Sequence, residues 1–515
     1  MMGKRDNQMS FSDCWLKGRI PEDSYWHKVR IWTLNHLEEE IFEPLFSNYG
    51  RSSVPPVYTF VGILVQFEKG YSDREFEGES RFDDRVKYAI TAPRDFTGID
   101  AVTMHDHRAR FFKTEVGLKI FAQTIAQAKE AGLFSEENLN VVDTFMVWGA
   151  AAKQDTYTLL YQGIKMVLKF AAFHERAEEV KAVLKRDDYH LDRKKPQIDW
   201  EDKGEKQKLL QSLVKDALAL VSHLKSGCSL PQDLANVCDL LEKVALQDVN
   251  IDDNGNVSMI NGTAKDRIIS VHDSDMRHGH KTTSKKSDGY KSEIITGGEK
   301  AKVILGIEVD SANTPDGTHL GDLIDDVQDM GQPINKIYGD CAYSKWEEIE
   351  KREQEDHIEF CVKVPSPSNS KGFFCKDQFT IDLKEGTVTC PNGHTKEFDT
   401  QKIEKREKVL VKFSSKLCSN CPMKEQCTRS TTGRTININP YEDRLQKQRE
   451  YQRTPEFKKD YAKRPNVERI IAHLTRHGGR AARYIGKAKV KWQMIMVAIN
   501  HNIKAITGCK LPQPA

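Results

Sequence analysis

The hydrophobic positions change their period several times along the chain, and each change marks an element. Over 25–45, Leu34, Leu37, Ile41 and Leu45 recur at helical spacing, with Trp32 nearby. Ser53-Val54-Pro55-Pro56 interrupts that pattern and opens a second helix, with Phe60, Ile63, Leu64 and Phe67 on one face. A further helix is expected over 106–131, so the first 130 residues read as a helical block. At Asn140-Val141-Val142-Asp143-Thr144-Phe145-Met146-Val147 the pattern becomes a short apolar strand interrupted by one acid. The chain is helical again over 156–249. Strand-like runs follow at 267–271, 290–295, 303–309, 334–340 and 359–364, with a helix over 319–330 between the third and fourth. Three strands, a helix and another strand predict a mixed sheet of α/β class. Residues 366–450 are richer in Gly, Ser, Thr and Cys and read as a small β-rich insertion, and 455–504 is helical and basic.

With 515 residues there is room for three or four domains of about 100–200 residues each. A content of 30% charged and 38% hydrophobic residues is globular rather than disordered. The formal charge of +2 excludes a strongly basic field over the whole chain but leaves a local patch open. Residues 454–493 supply one: eleven Lys and Arg against three acids, with Tyr461, Tyr484 and Trp492 interleaved, the footprint expected for phosphate contacts. No run reaches the ~18 apolar residues of a membrane span. The first residues, through Cys14, lack the apolar core of a secretory signal, so a cytoplasmic protein with reduced thiols is expected. No G-x4-G-K-[ST] loop is present, so no nucleotide cofactor is expected. His272, Asp273, Asp275, His278 and His280 read as a polar turn.

Three acids stand out by context. Asp143 interrupts a strand, Asp340 ends one, and Glu468 flanks the apolar stripe of Val467, Ile470, Ile471 and Leu474. Three convergent carboxylates offer the hard oxygen ligands that two Mg²⁺ ions about 3.5–4 Å apart need for phosphoryl transfer. The plainer reading is that strand-end acids serve as turn or cap residues. Among the eleven cysteines, Cys390, Cys418, Cys421 and Cys427 cluster with His394. In a reducing compartment that spacing suggests tetrahedral Zn²⁺, with the four thiols as the preferred set and His394 as the rival for one seat. Four protein ligands would make the site structural. The alternative is ordinary thiols.

Tyr461-Ala462-Lys463-Arg464-Pro465-Asn466-Val467-Glu468 fits the Y-x2-R-x3-E signature of bacterial insertion-sequence DDE transposases. In a single helix the three signature residues would share one face, but Pro465 also suits the first turn of a new helix. Val142-Asp143-Thr144 resembles the strand bearing the family's first aspartate, and Asp340-Cys341-Ala342-Tyr343 resembles the D-x-A-Y pattern of the second. Gly289-Tyr290-Lys291 and Asn313-Thr314-Pro315-Asp316-Gly317 resemble the intervening strands and turn. The tail from His477 through Arg480, Arg483 and Tyr484 to Lys487 and Lys489 resembles the segment after the glutamate. One departure is visible. The extended signature has Lys seven positions after the Glu, where this chain has Thr475, with Arg476 beside it.

The resemblance implies an RNase H-like catalytic core with Asp143, Asp340 and Glu468 holding Mg²⁺ or Mn²⁺. It implies DNA contacts through Tyr461, Arg464, Arg476, Arg480, Arg483, Lys487 and Lys489. The core would comprise 131–150, 265–365 and 450–508. A helical insertion (151–264) and the cysteine-bearing insertion (366–449) would interrupt it, and a DNA-binding block (1–130) would precede it. Expected partners are the double-stranded terminal repeats, target DNA and a second copy of the chain, on the bacterial nucleoid. Alternatives are a Mg²⁺-dependent nuclease on the same fold, or a captured transposase that binds DNA without cutting it.

Overall fold

The computed structural model describes residues 1–5, 16, 18–134, 138–189, 192–193, 195–227, 229–280, 286–367 and 372–508. Residues 6–15, including most of the stretch read for a secretory signal, lie outside them.

The N-terminal block is helical. In α1 (Tyr25–His36) the Ser24 hydroxyl accepts from the His27 N–H as an N-cap. Helix α2 (Pro56–Lys69) opens on a proline, where the missing N–H would have been unpaired anyway, and closes on Gly70 at φ 79°. A capping box between Ser72 and Glu75 starts α3 (Asp73–Phe82). Helices α4 (Ala101–Phe112) and α5 (Val116–Glu130) replace the single helix expected over 106–131. The helix expected over 25–45 also ends early, at His36, and continues as a 3₁₀ turn, Glu39–Leu45. There Trp32, Leu37 and Phe42 carry the burial, while Leu34 is 46% exposed.

Six strands form one mixed sheet: β1 (Asn140–Trp148), β2 (Arg277–His280), β3 (Lys286–Gly297), β4 (Val303–Ser311), β5 (Lys336–Gly339) and β6 (Glu359–Val362). The order is β4-β3-β1-β5-β6, with β2 pairing the start of β3 on the edge that β4 then takes over. Strand β1 runs antiparallel to β3, with Trp148 opposite Gly289, and parallel to β5, with Val141 opposite Tyr338. Strand β6 is parallel to β5.

The stretch 267–271, expected as a strand, is not one. It is extended, but glutamine side chains take its backbone groups: Gln247 pairs with both the N–H and C=O of Ile268, and the Val271 N–H donates to Gln154 Oε1. Its apolar residues Ile268 and Val271 belong to the core of α6 (Thr156–Phe173), α7 (Lys203–Ser226) and α8 (Gln232–Gln247). The stretch expected as a polar turn before β3 contains β2, in which His278 pairs with Asp288.

Helix α9 (Leu320–Asp329) links β4 to β5, and α10 (Trp346–Glu355) links β5 to β6. A small β-rich unit follows, with strands Thr380–Asp382, Thr387–Thr389, Thr395–Glu397, Val409–Lys412 and Thr435–Ile438 around its own core. The chain returns through α11 (Glu442–Tyr451), α12 (Pro455–Tyr461), α13 (Asn466–Leu474) and α14 (Lys487–Thr507). Helix α14 packs against α1, α2, α5 and β4, so the N-terminal helices and the sheet share one core. It also covers the β4 edge. Asn502 accepts from the Ile304 N–H at 2.9 Å and donates to the Ile304 C=O at 3.0 Å. No helix among the described residues is long and apolar enough to cross a membrane.

Candidate active site

The parallel pairing of β1 with β5 brings Asp143 and Asp340 to one end of the sheet. Beyond that pairing β1 continues alone beside β3, and β5 stops at Gly339. Asp340 then caps a short turn, its Oδ1 accepting from the Ala342 N–H at 2.8 Å. Asp143 Oδ1 accepts from the Thr144 N–H at 2.9 Å.

Helix α12 is clamped over β5. Asp460 receives the Tyr338 hydroxyl at 2.7 Å and the Lys336 ammonium at 2.7 Å, and Phe457 is buried beneath. The signature residues do not lie on one helix. Tyr461 ends α12, Arg464 sits in the turn that follows, and Pro465 caps α13, which carries Glu468 in its first turn. Val467, Ile470 and Leu474 bury the inner face of α13, leaving Glu468 on the exposed side.

This break places Arg464 between two of the acids. Its Nη2 lies 2.8 Å from Asp143 Oδ2 and its Nη1 lies 3.0 Å from Glu468 Oε1. The Arg464 and Asp143 side chains are each 13% exposed, the Glu468 side chain 63%. Asp143, Asp340, Glu468 and Arg464 line one cleft of about 830 Å³, with Lys291, Asp316 and Arg480. Burial pushes the Asp143 carboxyl up to about 6; Arg464 opposes the shift, and the charges of Asp340 and Glu468 add to it. Two further acids repelling a desolvated carboxylate make a site that favours cations.

Of the other expected DNA contacts, Arg480 lines the cleft with its guanidinium 4.8 Å from the Trp148 ring centre, and Arg476 and Lys489 are exposed. Tyr461 is half-buried, stacked on Phe457, with the Lys363 ammonium 4.4 Å from its ring centre; burial pushes its hydroxyl up to about 12. Arg483 and Lys487 are placed differently. Arg483 donates to the carbonyls of Tyr71 and Gln66, and Lys487 pairs with Asp310 at 3.0 Å.

Two residues of this neighbourhood were not among the expected site residues, although Lys291 lies in the Gly289-Tyr290-Lys291 stretch that carries part of the resemblance. Lys291 is held by Asp316 at 2.6 Å inside the cleft. Glu293, opposite Thr144 in the β1–β3 ladder, is 3% exposed, and burial pushes its carboxyl up to about 7.

Cys390, His394, Cys418, Cys421 and Cys427 line a second cavity, inside the β-rich unit, and all four thiols are free. Among the described residues no group of three or more His, Cys, Asp or Glu side chains stands ready to hold a metal ion, in either place.

Residues 389–507 match the family model described as Transposase DDE domain. Over that stretch, which is less than half of the chain, it is similar to a transposase DDE domain. The match includes Tyr461, Arg464 and Glu468 of the cleft and the four clustered cysteines; Asp143 and Asp340 lie upstream of it. No curated protein and no solved structure matches the chain.

Proposed function

We propose that the protein is a DNA transposase that cleaves the ends of an insertion sequence and joins the freed 3′-OH to target DNA. The observation that carries this reading is the convergence of Asp143, Asp340 and Glu468, from three separate parts of the chain, on the cleft that Arg464 enters. The sheet order β4-β3-β1-β5-β6, with β3 alone antiparallel to β1 among the central strands, supports an RNase H-like core.

The donor set suits Mg²⁺ or Mn²⁺: three carboxylates, no soft ligand among them, and one carboxyl raised chiefly by burial, with its neighbours' charge adding. Asp143, Asp340 and Glu468 would hold the metal, which when bound activates the attacking oxygen and stabilises the leaving one. The exposed Glu468 side chain has the freedom to turn inward. Arg464 neutralises Asp143 before a cation is present. Once released, its guanidinium is placed to bind the scissile phosphate, with its bidentate geometry suited to phosphate oxygens. Arg480 and Lys291 would hold the flanking strand in the same cleft.

Incubation with DNA carrying the element's terminal repeats and a supercoiled target tests this. Metal-dependent nicks at the repeat ends, followed by covalent joining to the target, are expected. Cutting without joining would instead assign a nuclease on the same fold. Repeat binding without cutting would assign a captured DNA-binding protein.

A further inference from the structure

We infer that the β-rich unit is built around one structural zinc ion held by Cys390, Cys418, Cys421 and Cys427. The four cysteines come from two places 28 positions apart in sequence, Cys390 and the stretch from Cys418. Cys390 starts the turn between the strands Thr387–Thr389 and Thr395–Glu397, closed by the Cys390 N–H donating to the His394 C=O at 2.8 Å. Cys418, Cys421 and Cys427 lie on and between two helices of only five and four residues, Ser415–Ser419 and Lys424–Cys427. Their side chains nonetheless line the same cavity, of about 30 Å³. That volume suits an ion or one water and no organic ligand.

The unit needs such a staple. Its core is eight residues, Phe379, Val388, Ile403, Val409, Val411, Phe413, Ile436 and Ile438, and its strands have three or four residues each. A core that small supplies little stability of its own. Cys390, Cys418 and Cys427 pack on that core, so an ion bridging them would tie the two short helices to both strand pairs.

Charge also fits. Four thiolates around Zn²⁺ carry a net charge of −2, and Arg434 and Lys424 line the cavity. Arg434 is fixed there by donating to the carbonyls of Cys427 at 3.1 Å and Phe374 at 2.8 Å, while its Nε–H has no partner. Among the described residues no ready-made ligand group is present, so binding would have to draw the four thiols together. His394 lines the same cavity but is left outside the set, because four sulfurs complete a tetrahedral shell.

The test uses the full-length protein, purified under reducing conditions and analysed by mass spectrometry for bound metal. One zinc per chain is expected, retained in His394→Ala and lost in Cys421→Ser and Cys427→Ser. Should those variants not fold, the wild type stripped by chelator and reconstituted with Co²⁺ gives a second reading. The absorption of a tetrahedral, sulfur-ligated Co²⁺ ion is expected, and four thiols should become protected from a thiol reagent. No zinc in the purified protein, together with no sulfur-ligated Co²⁺ absorption on reconstitution, would overturn the inference. So would zinc kept in a Cys418→Ser, Cys421→Ser double variant, or a disulfide between these cysteines. None of these readouts depends on DNA cleavage.

Discussion

Arg464 touches two carboxylates, and the two contacts should differ sharply in worth. A unit-charge pair about 4 Å apart is worth about 4 kcal/mol at an effective dielectric near 20 and about 1 kcal/mol in bulk water. Asp143 and Arg464 are each 13% exposed, whereas the Glu468 side chain is 63% exposed. The Asp143 pair therefore belongs near the first limit and the Glu468 pair near the second. A double-mutant cycle of Asp143→Asn with Arg464→Gln should give a coupling of about 2 kcal/mol or more. The cycle of Glu468→Gln with Arg464→Gln should give less than about 1 kcal/mol. The assay is urea unfolding at pH 8 without divalent cations, where Asp143, with its carboxyl near 6, is ionised. As pH falls through 6 the Asp143 coupling should vanish, because the pair needs the charged carboxylate. Equal couplings, or a Glu468 coupling larger than that of Asp143, would refute this account of the cleft.

Glu293 gives a pH prediction of opposite sign to the usual carboxylate. Its folded value near 7 lies above the ordinary 4.5, so burial favours the protonated form. Its contribution is complete below about pH 4.5 and is lost as pH rises through 7, about 3 kcal/mol in all, and Glu293→Gln should flatten that fall in a pH series of unfolding curves. Asn502→Ala should strand the N–H and C=O of Ile304 inside the main core; a loss of about 3 kcal/mol is expected by urea unfolding, against well under about 1 for an exposed polar residue such as Asn254→Ala.

Much of this arrangement is legible in the sequence, for identifiable reasons. The run around Asp143 is apolar on both sides of one acid, and it became the central strand. Strands near 290–295, 303–309, 334–340 and 359–364 follow the same logic, each a short apolar run between turn signals. The spacing of the cysteines marked a cluster that the fold gathers around one cavity. What was not legible depends on partners distant in the chain. Residues 267–271 have strand composition, but Gln154 and Gln247 take the backbone groups that a neighbouring strand would have used. Pro465 was legible as a place where a new helix could start, and one does start there; what the sequence did not show is that Arg464, in the turn before it, reaches Asp143. Lys291 lies in the Gly289-Tyr290-Lys291 stretch, but its place in the cleft, and the burial of Glu293 two residues on, follow from the register of β3.

The most direct test of the central claim is cleavage of terminal-repeat DNA with Mg²⁺ or Mn²⁺, comparing wild type with Asp143→Asn, Asp340→Asn and Glu468→Gln, with DNA binding measured alongside. If the three carboxylates hold the metal, each variant should lose about a thousandfold in cleavage rate, about 4 kcal/mol of barrier, while still binding the repeats. Cleavage within about tenfold of wild type in any one of them would contradict the three-carboxylate site.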